Sequence, residues 1–334
     1  MTGVAGFARP SRRALLLGAA GAGVGAVLPL HRTAAAATVP AVVVGDQRSR
    51  RALVLDGTQT SWDPAADPSV VLWSFAPDGD ARYADLAPAE SFTYVSEVKA
   101  RSLDGVPHLL VTASYGFAAV VEYGTGARRW GGLVATSGPG ADLNPHSAEL
   151  LPNGNVAVAC SAGDAVRIYS AAQGPASTGF TAADLATAHG VHWDDGQGVL
   201  WAVGGSTLVA YDIGTADNPA LTVRTTVPLP TPDGHDVNAV SGSPDLLWVA
   251  TGTALYRFSK SARTFAPYTA PTCGAGPWGG VKAVSNAGDT VLFTEPDGDL
   301  TPNWQTRYAR IASGTAAPYT LAGGGIYKAR WWQP

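Results

Sequence analysis

The sequence predicts an all-β protein, and three observations lead to that prediction. Past residue 38, short β-branched and aromatic runs alternate with Gly, Asn-Gly, Asp-Gly and Pro-Asp turns, and no amphipathic helix exceeds two turns. Six related segments follow one another at steps of 50, 43, 46, 44 and 46 residues. Both ends of the chain carry parts of one incomplete repeat. Since a repeat of this length with four strands is one blade, we predict a six-bladed β-propeller.

Residues 1–37 are predicted to be an export signal. Arg12 and Arg13 precede a glycine-diluted apolar stretch, and alanines occupy positions 34–37. This pattern is typical of a twin-arginine signal, so we expect cleavage near Ala37 and a secreted protein; a retained membrane anchor is the alternative. The stretch "GAGVGA" matches a dinucleotide-binding pattern, but no strand precedes it. Residues 38–334 are then one propeller domain.

The composition excludes several classes of protein. Of the 334 residues, 46% are hydrophobic and 14% charged, and the net charge is −4 without a basic cluster. These values are typical of a globular chain and argue against a disordered, collagen-like or multi-pass membrane protein. They also argue against nucleic acid as a partner. We expect a monomer that does not contact membranes once the signal is removed.

The repeat is recognised from the first strand of each blade. The six segments are "SEVKARSLDG" from Ser96, "HSAELLPNGN" from His146, "HGVHWDDGQG" from His189, "HDVNAVSGSP" from His235, "GGVKAVSNAG" from Gly279 and "GIYKARWWQP" from Gly325. Each segment but the last precedes an apolar strand, a turn and a second strand with an aromatic end, as in "VAVACSAGDAVRIYS".

The last blade is predicted to combine both ends of the chain. The sixth segment stops after one strand, and "AVVVGDQRSRRALVLDG" with "VVLWSF" supplies the missing three. We therefore expect residues 42–74 to pair with the strand around Tyr327, which leaves no open sheet edge. A seventh blade would have to fit between residues 75 and 95, which is too short.

The two cysteines are predicted to be unpaired. Cys160 lies in a strand-like segment and Cys273 in a loop on roughly the opposite side of the ring. A disulfide is the alternative, because export would permit one.

Scarce residues collect in two columns of the aligned repeat. The first column is Ser96, His146, His189, His235, Gly279 and Gly325, and three positions further on the second is Lys99, Glu149, His192, Asn238, Lys282 and Lys328. The apolar residues around the second column, Tyr327 among them, are expected to pack between blades. Because the polar residues differ from blade to blade, we interpret both columns as the ligand-binding mouth of the channel.

The columns predict a pocket for an acidic sugar. Its lysines, with Arg101 and Arg330, form a cationic half suited to a small anion. The histidines His146, His189, His192 and His235, beside Glu149 and Asn238, are the candidate catalytic residues. Trp278 and Trp304 are expected to stack on sugar rings. Cations that neutralise a uronic acid, with a base and an acid, are what β-elimination requires.

Two resemblances support this prediction. The twin-arginine start and "NPHSAELLPNGNVAVACS" are similar to an uncharacterised family of secreted bacterial β-propellers. The blades that begin with histidine resemble propeller polysaccharide lyases, including those that split rhamnose from glucuronate, and the metal-using streptogramin lyases. The latter resemblance implies that a rim histidine such as His146 or His189 acts as base or acid. Lyases of this kind often have seven blades, whereas six are counted here.

Two alternatives to a metal-free lyase of acidic oligo- or polysaccharides stay open. His146, His189 and His235 come from consecutive blades and would bind one divalent metal ion, with Glu149 nearby, in a metal-dependent lyase or lactone hydrolase. The second alternative is a propeller that only binds glycan or protein.

Overall fold

The computed structural model describes residues 39–269, 279–312 and 316–334. Their strands form six sheets arranged as a six-bladed β-propeller, which confirms the predicted fold class. The predicted signal, Cys273 and Trp278 lie outside the described residues. No helix in the described part of the chain is long and apolar enough to cross a membrane.

The chain enters the propeller through strands that belong to its last two blades. These are β1 (Val42–Asp46), β2 (Arg51–Leu55), β3 (Ser61–Trp62) and β4 (Val71–Phe75). Before the first complete blade come 3-10 helices at Pro68–Val70 and Ala81–Leu86 and the short helix α1 (Pro88–Ser91).

Blades one to three each have four antiparallel strands in chain order. Blade one is β5 (Val95–Leu103), β6 (Val106–Ala113), β7 (Phe117–Glu122) and β8 (Arg128–Leu133). Blade two is β9 (Pro145–Leu150), β10 (Val156–Cys160), β11 (Ala165–Tyr169) and β12 (Phe180–Asp184), with a 3-10 helix at Ala171–Gln173. Blade three is β13 (Gly190–Asp194), β14 (Val199–Val203), β15 (Thr207–Gly214) and β16 (Pro219–Pro228).

Blades four to six complete the ring. Blade four is β17 (Asp236–Ala239), β18 (Leu246–Ala250), β19 (Leu255–Ser259) and β20 (Thr264–Pro267). Blade five is β21 (Ala283–Ala287), β22 (Thr290–Thr294), β23 (Tyr308–Ile311) and β24 (Tyr319–Leu321), with β3 added in parallel at its edge. Blade six places β25 (Ile326–Trp331) beside β1, β2 and β4.

The predicted closure of the ring by both chain ends is confirmed. Val43 of β1 pairs with Val54 on one side and with Arg330 of β25 on the other. The inner strand of blade six thus comes from the last residues of the chain, and its outer strands come from residues 42–75.

Alternating apolar residues of the strands form the core between neighbouring sheets. Its largest members are the fully buried indoles of Trp62, Trp130, Trp201 and Trp248. Each buried indole N–H has an acceptor; that of Trp130 donates to Ser177 O over 3.0 Å. A paired N–H lets a tryptophan fill the space between blades without an unsatisfied donor. Cys160 is an unpaired, buried residue of this core, and burial raises the pKa of its thiol to about 12.

Candidate functional site

A left-handed turn recurs before the inner strand of all six blades. The residues with positive φ in these turns are Tyr94 (60°), Asn144 (48°), Thr187 (46°), Asp233 (63°), Gly280 (76°) and Gly323 (68°). Two positions further on lie Ser96, His146, His189, His235, Lys282 and Gly325. Because residues other than glycine seldom adopt this conformation, its recurrence marks equivalent positions around one end of the channel.

Lys282 therefore belongs to the first column, not the second. The backbone N–H groups of His189, His235 and Lys282 each donate to the last residue of the neighbouring strand: Val203, Ala250 and Thr294. The alignment of the repeats matched Gly279 with His235, which is three residues out of register in blade five. The segments "VNAV" and "VKAV" each have two valines three positions apart, so the pattern of valines fits both registers. The structure brings Lys282 beside the histidines and moves Gly279 out of the column.

The first column opens into a pocket of about 420 Å³, which we call the histidine mouth. Its lining includes the residues that carry its polar and aromatic groups: Gln47, Tyr94, Ser114, Tyr115, Asn144, His146, His189, His235, Lys282, Trp304 and Tyr327. The lining holds one cation and no carboxylate in the described part of the chain.

Three histidines from consecutive blades form a stacked row along this mouth. The ring centroids of His146 and His189 are 4.6 Å apart, and those of His189 and His235 are 5.0 Å apart. Tyr327 continues the row at 5.5 Å from His146. Tyr327, expected to pack between blades, instead lines the pocket with its ring, because a bulge interrupts the pairing of β25 with β1 next to it.

Backbone carbonyls fix the tautomers of two of these rings. His189 Nδ1 lies 2.7 Å from Thr187 O, and His235 Nδ1 lies 2.6 Å from Asp233 O. Since a carbonyl oxygen can only accept, both rings carry a proton on Nδ1. Neither Nε2 has a hydrogen-bond partner among the described residues, so both present a lone pair. The left-handed turn supplies the acceptor carbonyl in each case.

His146 lacks the corresponding bond. The carbonyl of Asn144 accepts hydrogen bonds from the N–H and hydroxyl of Ser161 instead. As a result, His146 Nδ1 is buried without a partner, and so is Asn144 Oδ1. Two orphaned polar atoms in the lining of one pocket favour a bound polar ligand or water at this end of the row.

The histidines are neutral at neutral pH. Burial lowers the pKa of His189 to about 3, with His235 adding to the effect. Burial also lowers the pKa of His146 well below its usual value and lowers that of His235. Lys282 is affected in the same way: burial, then Lys328, lowers the pKa of its ammonium group to about 8. At neutral pH the mouth thus combines three imidazoles without charge and one cation.

This arrangement predicts that the protein loses stability in mild acid. An unfolded histidine titrates near pH 6.5, whereas His189 binds a proton in the folded state only near pH 3. The unfolded chain binds more protons between these values, so the free energy of unfolding falls as pH falls, by up to about 1.4 kcal/mol per pH unit for each such histidine. Urea unfolding of wild type and His189→Gln between pH 6.5 and 5, above the range of carboxylates, should give a shallower slope for the variant. Equal slopes would contradict the depressed pKa.

Beneath the mouth, buried charges fill the channel and form what we call the ionic plug. Its members are Glu97, Lys99, Arg101, Glu149, Asp236, Lys328 and Arg330. Arg330 bridges two carboxylates: Nη2 lies 2.7 Å from Asp236 Oδ1, and Nε lies 3.1 Å from Glu97 Oε1. Lys328 Nζ lies 3.2 Å from Glu97 Oε2 and donates to His146 O.

The expected cationic wall is therefore not formed as predicted. Lys99 and Lys328 are each 1% exposed, and Arg330 is 2% exposed. Lys99 Nζ lies 3.5 Å from Glu149 Oε2, and Arg101 binds the same carboxylate through two hydrogen bonds of 2.6 Å. Burial raises the pKa of Glu149, but Arg101 and Lys99 outweigh it and lower the pKa to about 2. Each of these cations pairs with a carboxylate of the chain, which leaves Lys282 as the cation of the mouth.

The two columns also do not form one pocket. In a strand, positions two apart share a face, so Glu97 lies with Lys99 and Asp236 with Asn238. Arg101, His192 and Asn238 line a second pocket at the opposite end of the channel. Sequence reasoning missed Glu97 and Asp236 because it compared positions three apart; the alternation of the strand would have found them.

Aromatic side chains form the wall opposite the histidines. Trp304 is 41% exposed and donates from Nε1 to Gln47 Oε1 over 3.1 Å. Tyr94 packs edge-on against Trp304, with ring centroids 5.7 Å apart, and next to Tyr115 at 5.8 Å. Trp304 therefore lies where the sequence predicted a sugar-stacking residue, although its role stays a prediction.

The metal alternative depends on the same row. Among the residues that the structure describes, no group of three or more His, Cys, Asp or Glu side chains is arranged to hold a metal ion. His146, His189 and His235 stack side by side, with interplanar angles of 30° and 27° between neighbouring rings. Metal analysis of the purified protein tests this alternative.

Comparison with solved structures finds similar structures at low sequence identity. A crystal structure of a protein of unknown function from Bacteroides caccae matches with a TM-score of 0.57 and 11% identity, over 87% of this chain and 98% of the other. A streptogramin B lyase matches with a TM-score of 0.46 and 15% identity, over 68% and 69%. The virginiamycin B lyase from Staphylococcus aureus gives 0.44 and 13%, over 67% and 69%. At these identities the likeness concerns the fold.

Comparison at the level of sequence gives a match to a family model. A model of a family of unknown function covers residues 19–333. A search of the curated proteins finds no match.

Proposed function

We propose that this chain, which belongs to the family of unknown function DUF6528, is a lyase that cleaves an acidic saccharide by β-elimination in its histidine mouth. One observation carries the proposal: a single pocket combines a cation, a row of neutral imidazoles and a tyrosine hydroxyl. A cation that neutralises a carboxylate, a base and an acid are the groups this reaction needs.

Binding is assigned to opposite walls of the mouth. Lys282 is positioned to pair with the carboxylate of a uronic acid, and no carboxylate of the described lining competes for it. Trp304 presents an exposed aromatic face to one side of the sugar ring. The lone pair on Nε2 of His235 accepts a hydrogen bond from a sugar hydroxyl.

The chemistry is assigned to His189 and Tyr327. His189 Nε2 removes the proton from the carbon next to the carboxylate, after Lys282 has made that proton more acidic. The electron pair forms a carbon–carbon double bond, and the bond from the neighbouring carbon to the glycosidic oxygen breaks. Tyr327 protonates the departing oxygen; burial raises the pKa of its hydroxyl, which therefore keeps its proton at neutral pH. The ring of His146 lies between the two residues and contacts both of their rings.

The depressed pKa of His189 fits a base that is activated by its substrate. In the free protein the ring is unprotonated and available, but it is a weak base. A bound carboxylate places a negative charge beside the row, and an opposite charge raises the pKa of an imidazole. The substrate therefore increases the basicity of the residue that attacks it.

The ionic plug limits how a polymer can bind. Because buried ion pairs close the channel below the mouth, a chain cannot pass through the ring. Substrate then enters, and both products leave, on the side of the histidine mouth.

An extracellular location is part of the proposal, because polymeric acidic saccharides are encountered outside the cell. Its basis is the pair Arg12 and Arg13 before an apolar stretch and a run of alanines. The test is to sequence the N-terminus of protein recovered from the culture medium of the producing cells. A mature start near Ala37 supports export, and protein that stays inside with an intact N-terminus contradicts it.

A screen of acidic oligo- and polysaccharides tests the reaction. Elimination creates a conjugated double bond that absorbs in the ultraviolet, whereas hydrolysis does not. Absorbance with a product that is lighter by one water than the hydrolysis product supports the lyase. Ligands that bind without turnover point to a binding protein, and activity that a chelator abolishes and a metal restores points to the metal alternative.

Replacing Lys282 with arginine is expected to change the pH dependence of the reaction. Because the pKa of Lys282 is about 8, wild-type kcat/KM should fall roughly tenfold per pH unit above pH 8, as the cation is lost. Arginine stays protonated well beyond this range, so Lys282→Arg should keep its plateau past pH 9. Lys282→Met should lose about 1–3 kcal/mol of ligand binding at pH 7. A wild-type profile that stays flat to pH 10 would contradict this role.

A further inference from the structure

The end of the channel opposite the histidine mouth contains a second pocket, which we call the narrow pocket. Its volume is about 140 Å³, compared with about 420 Å³ for the histidine mouth. Three cations line it, Lys99, Arg101 and Arg330, and the described lining contains no carboxylate. None of the roles proposed above for the histidine mouth uses this pocket.

Two charged or polar side chains direct unused N–H groups to this pocket. Arg101 donates to Glu149, to Ala100 O and to His192 Nδ1, which leaves one of its five N–H groups without a described partner. Because a guanidinium only donates, His192 Nδ1 is the acceptor of their 3.4 Å contact. The neutral ring of His192 then carries its proton on Nε2, for which the described residues offer no acceptor.

Two neutral side chains add donors from other blades. Ser285 Oγ accepts a hydrogen bond from the N–H of Trp331, so its own O–H remains free to donate. Asn238 Nδ2 donates one hydrogen to Val284 O and keeps a second. Both residues belong to the pocket lining. Hydrogen-bond donors from blades one, three, four and five thus line the narrow pocket, and no carboxylate of the described lining accepts from them.

The charge of the ionic plug points the same way. The plug holds four cations, Lys99, Arg101, Lys328 and Arg330, against three carboxylates, Glu97, Glu149 and Asp236. The side chain of Arg101 is 26% exposed, so the excess charge lies at the edge of the plug, where it is unfavourable unless a counter-charge or water lies close to it. An anion in the narrow pocket would lie next to three of the four cations.

We propose that the narrow pocket binds one small oxyanion, such as sulfate, phosphate or a free carboxylate, through Arg101, His192, Ser285 and Asn238. This site is separate from the proposed lyase site and is occupied independently, since the ionic plug lies between them. A pocket of this volume, lined by N–H and O–H donors, suits an ion or a terminal acidic group.

Histidine-selective NMR of the purified chain tests the site without any substitution. Sodium sulfate is added at constant ionic strength and pH 7, and the ring signals of His192 and His235 are followed as reporters of the two ends. If sulfate binds in the narrow pocket, the chemical shift of the His192 ring signal should change with sulfate concentration and then saturate. The sulfate concentration at half of this change should differ from that of any change at His235. Phosphate and acetate titrations identify the preferred oxyanion. A His192 signal that does not move with any of the three ions overturns the proposal.

Two variants separate the two ends of the channel. Ser285→Ala should weaken sulfate binding at His192 about tenfold, the loss expected for one hydrogen bond to a charged group, and leave any effect at His235 unchanged. Lys282→Met should abolish effects at His235 and leave the His192 titration unchanged. If Lys282→Met instead removes the response of the His192 signal, sulfate binds only in the histidine mouth. The proposal of an anion site in the narrow pocket is then wrong.

Discussion

Replacing Arg330 with methionine is expected to lower the free energy of unfolding by about 3–5 kcal/mol. The guanidinium lies between Glu97 and Asp236 and is 2% exposed. Removing it leaves Glu97 with Lys328 and Lys99, and leaves Asp236 with Lys328 alone, which Glu97 shares. A buried carboxylate with too little counter-charge is far more costly than a lost exposed pair. Since whole domains are stable by only about 5–15 kcal/mol, urea unfolding should show a large fall in the midpoint.

The control is an arginine–aspartate pair on the surface. Arg224 and Asp212 form an ion pair with side chains 44% and 45% exposed. Arg224→Met should change stability by less than about 1 kcal/mol, because water and salt screen an exposed pair. Similar losses for Arg224→Met and Arg330→Met would mean that the ionic plug contributes no more than a surface contact.

Replacing His189 with alanine is expected to slow turnover by about 10²–10⁴-fold on a substrate found in the saccharide screen, the usual contribution of a placed proton-transfer group. Its ring is anchored to Thr187 O, so the loss removes a positioned base and not a loose side chain. Ligand affinity should change far less than kcat, because Lys282 and Trp304 still hold the sugar. Calorimetry for binding and ultraviolet absorbance for rate measure the two effects separately.

His108 provides the matched control for this experiment. It lies in β6 of blade one, and its Nδ1 is 2.8 Å from Val106 O, so the bond resembles that of His189 but lies outside the mouth. His108→Ala should keep full turnover. If alanine variants of His146, His189, His192 and His235 all keep full turnover as well, the histidines only line the channel, and the lyase proposal loses its base.

Repeats and turn residues were sufficient to predict six blades and the shared last blade. Each repeat is one supersecondary unit whose apolar face must pack on the next, so period and strand pattern determine the architecture. The side-chain partners within the channel were not predictable in the same way. The carboxylate of Glu97 reaches cations more than 200 residues away in sequence, and no local pattern marks such a contact.

The site was predicted best where the turn geometry repeats. His146, His189 and His235 were placed together correctly because each begins its segment, whereas Lys282 was misplaced by a valine spacing that fits two registers. Tyr94, Gln47 and Asn144 were missed because they lie in turns and loops outside the repeat core. The positive φ of Tyr94 and Asn144 is a property of the backbone that the residue types alone do not reveal.

The shared last blade has a consequence for how the protein is made. Synthesis proceeds from the N-terminus, so one edge of β1 stays unpaired until β25 has left the ribosome. The same late strand brings Lys328 and Arg330 to Glu97 and Asp236. A transcript truncated before residue 326 would thus yield a chain with an open ring and buried carboxylates that lack their counter-charges, a substrate for proteases. The native state therefore forms only after the six residues of β25 have been synthesised.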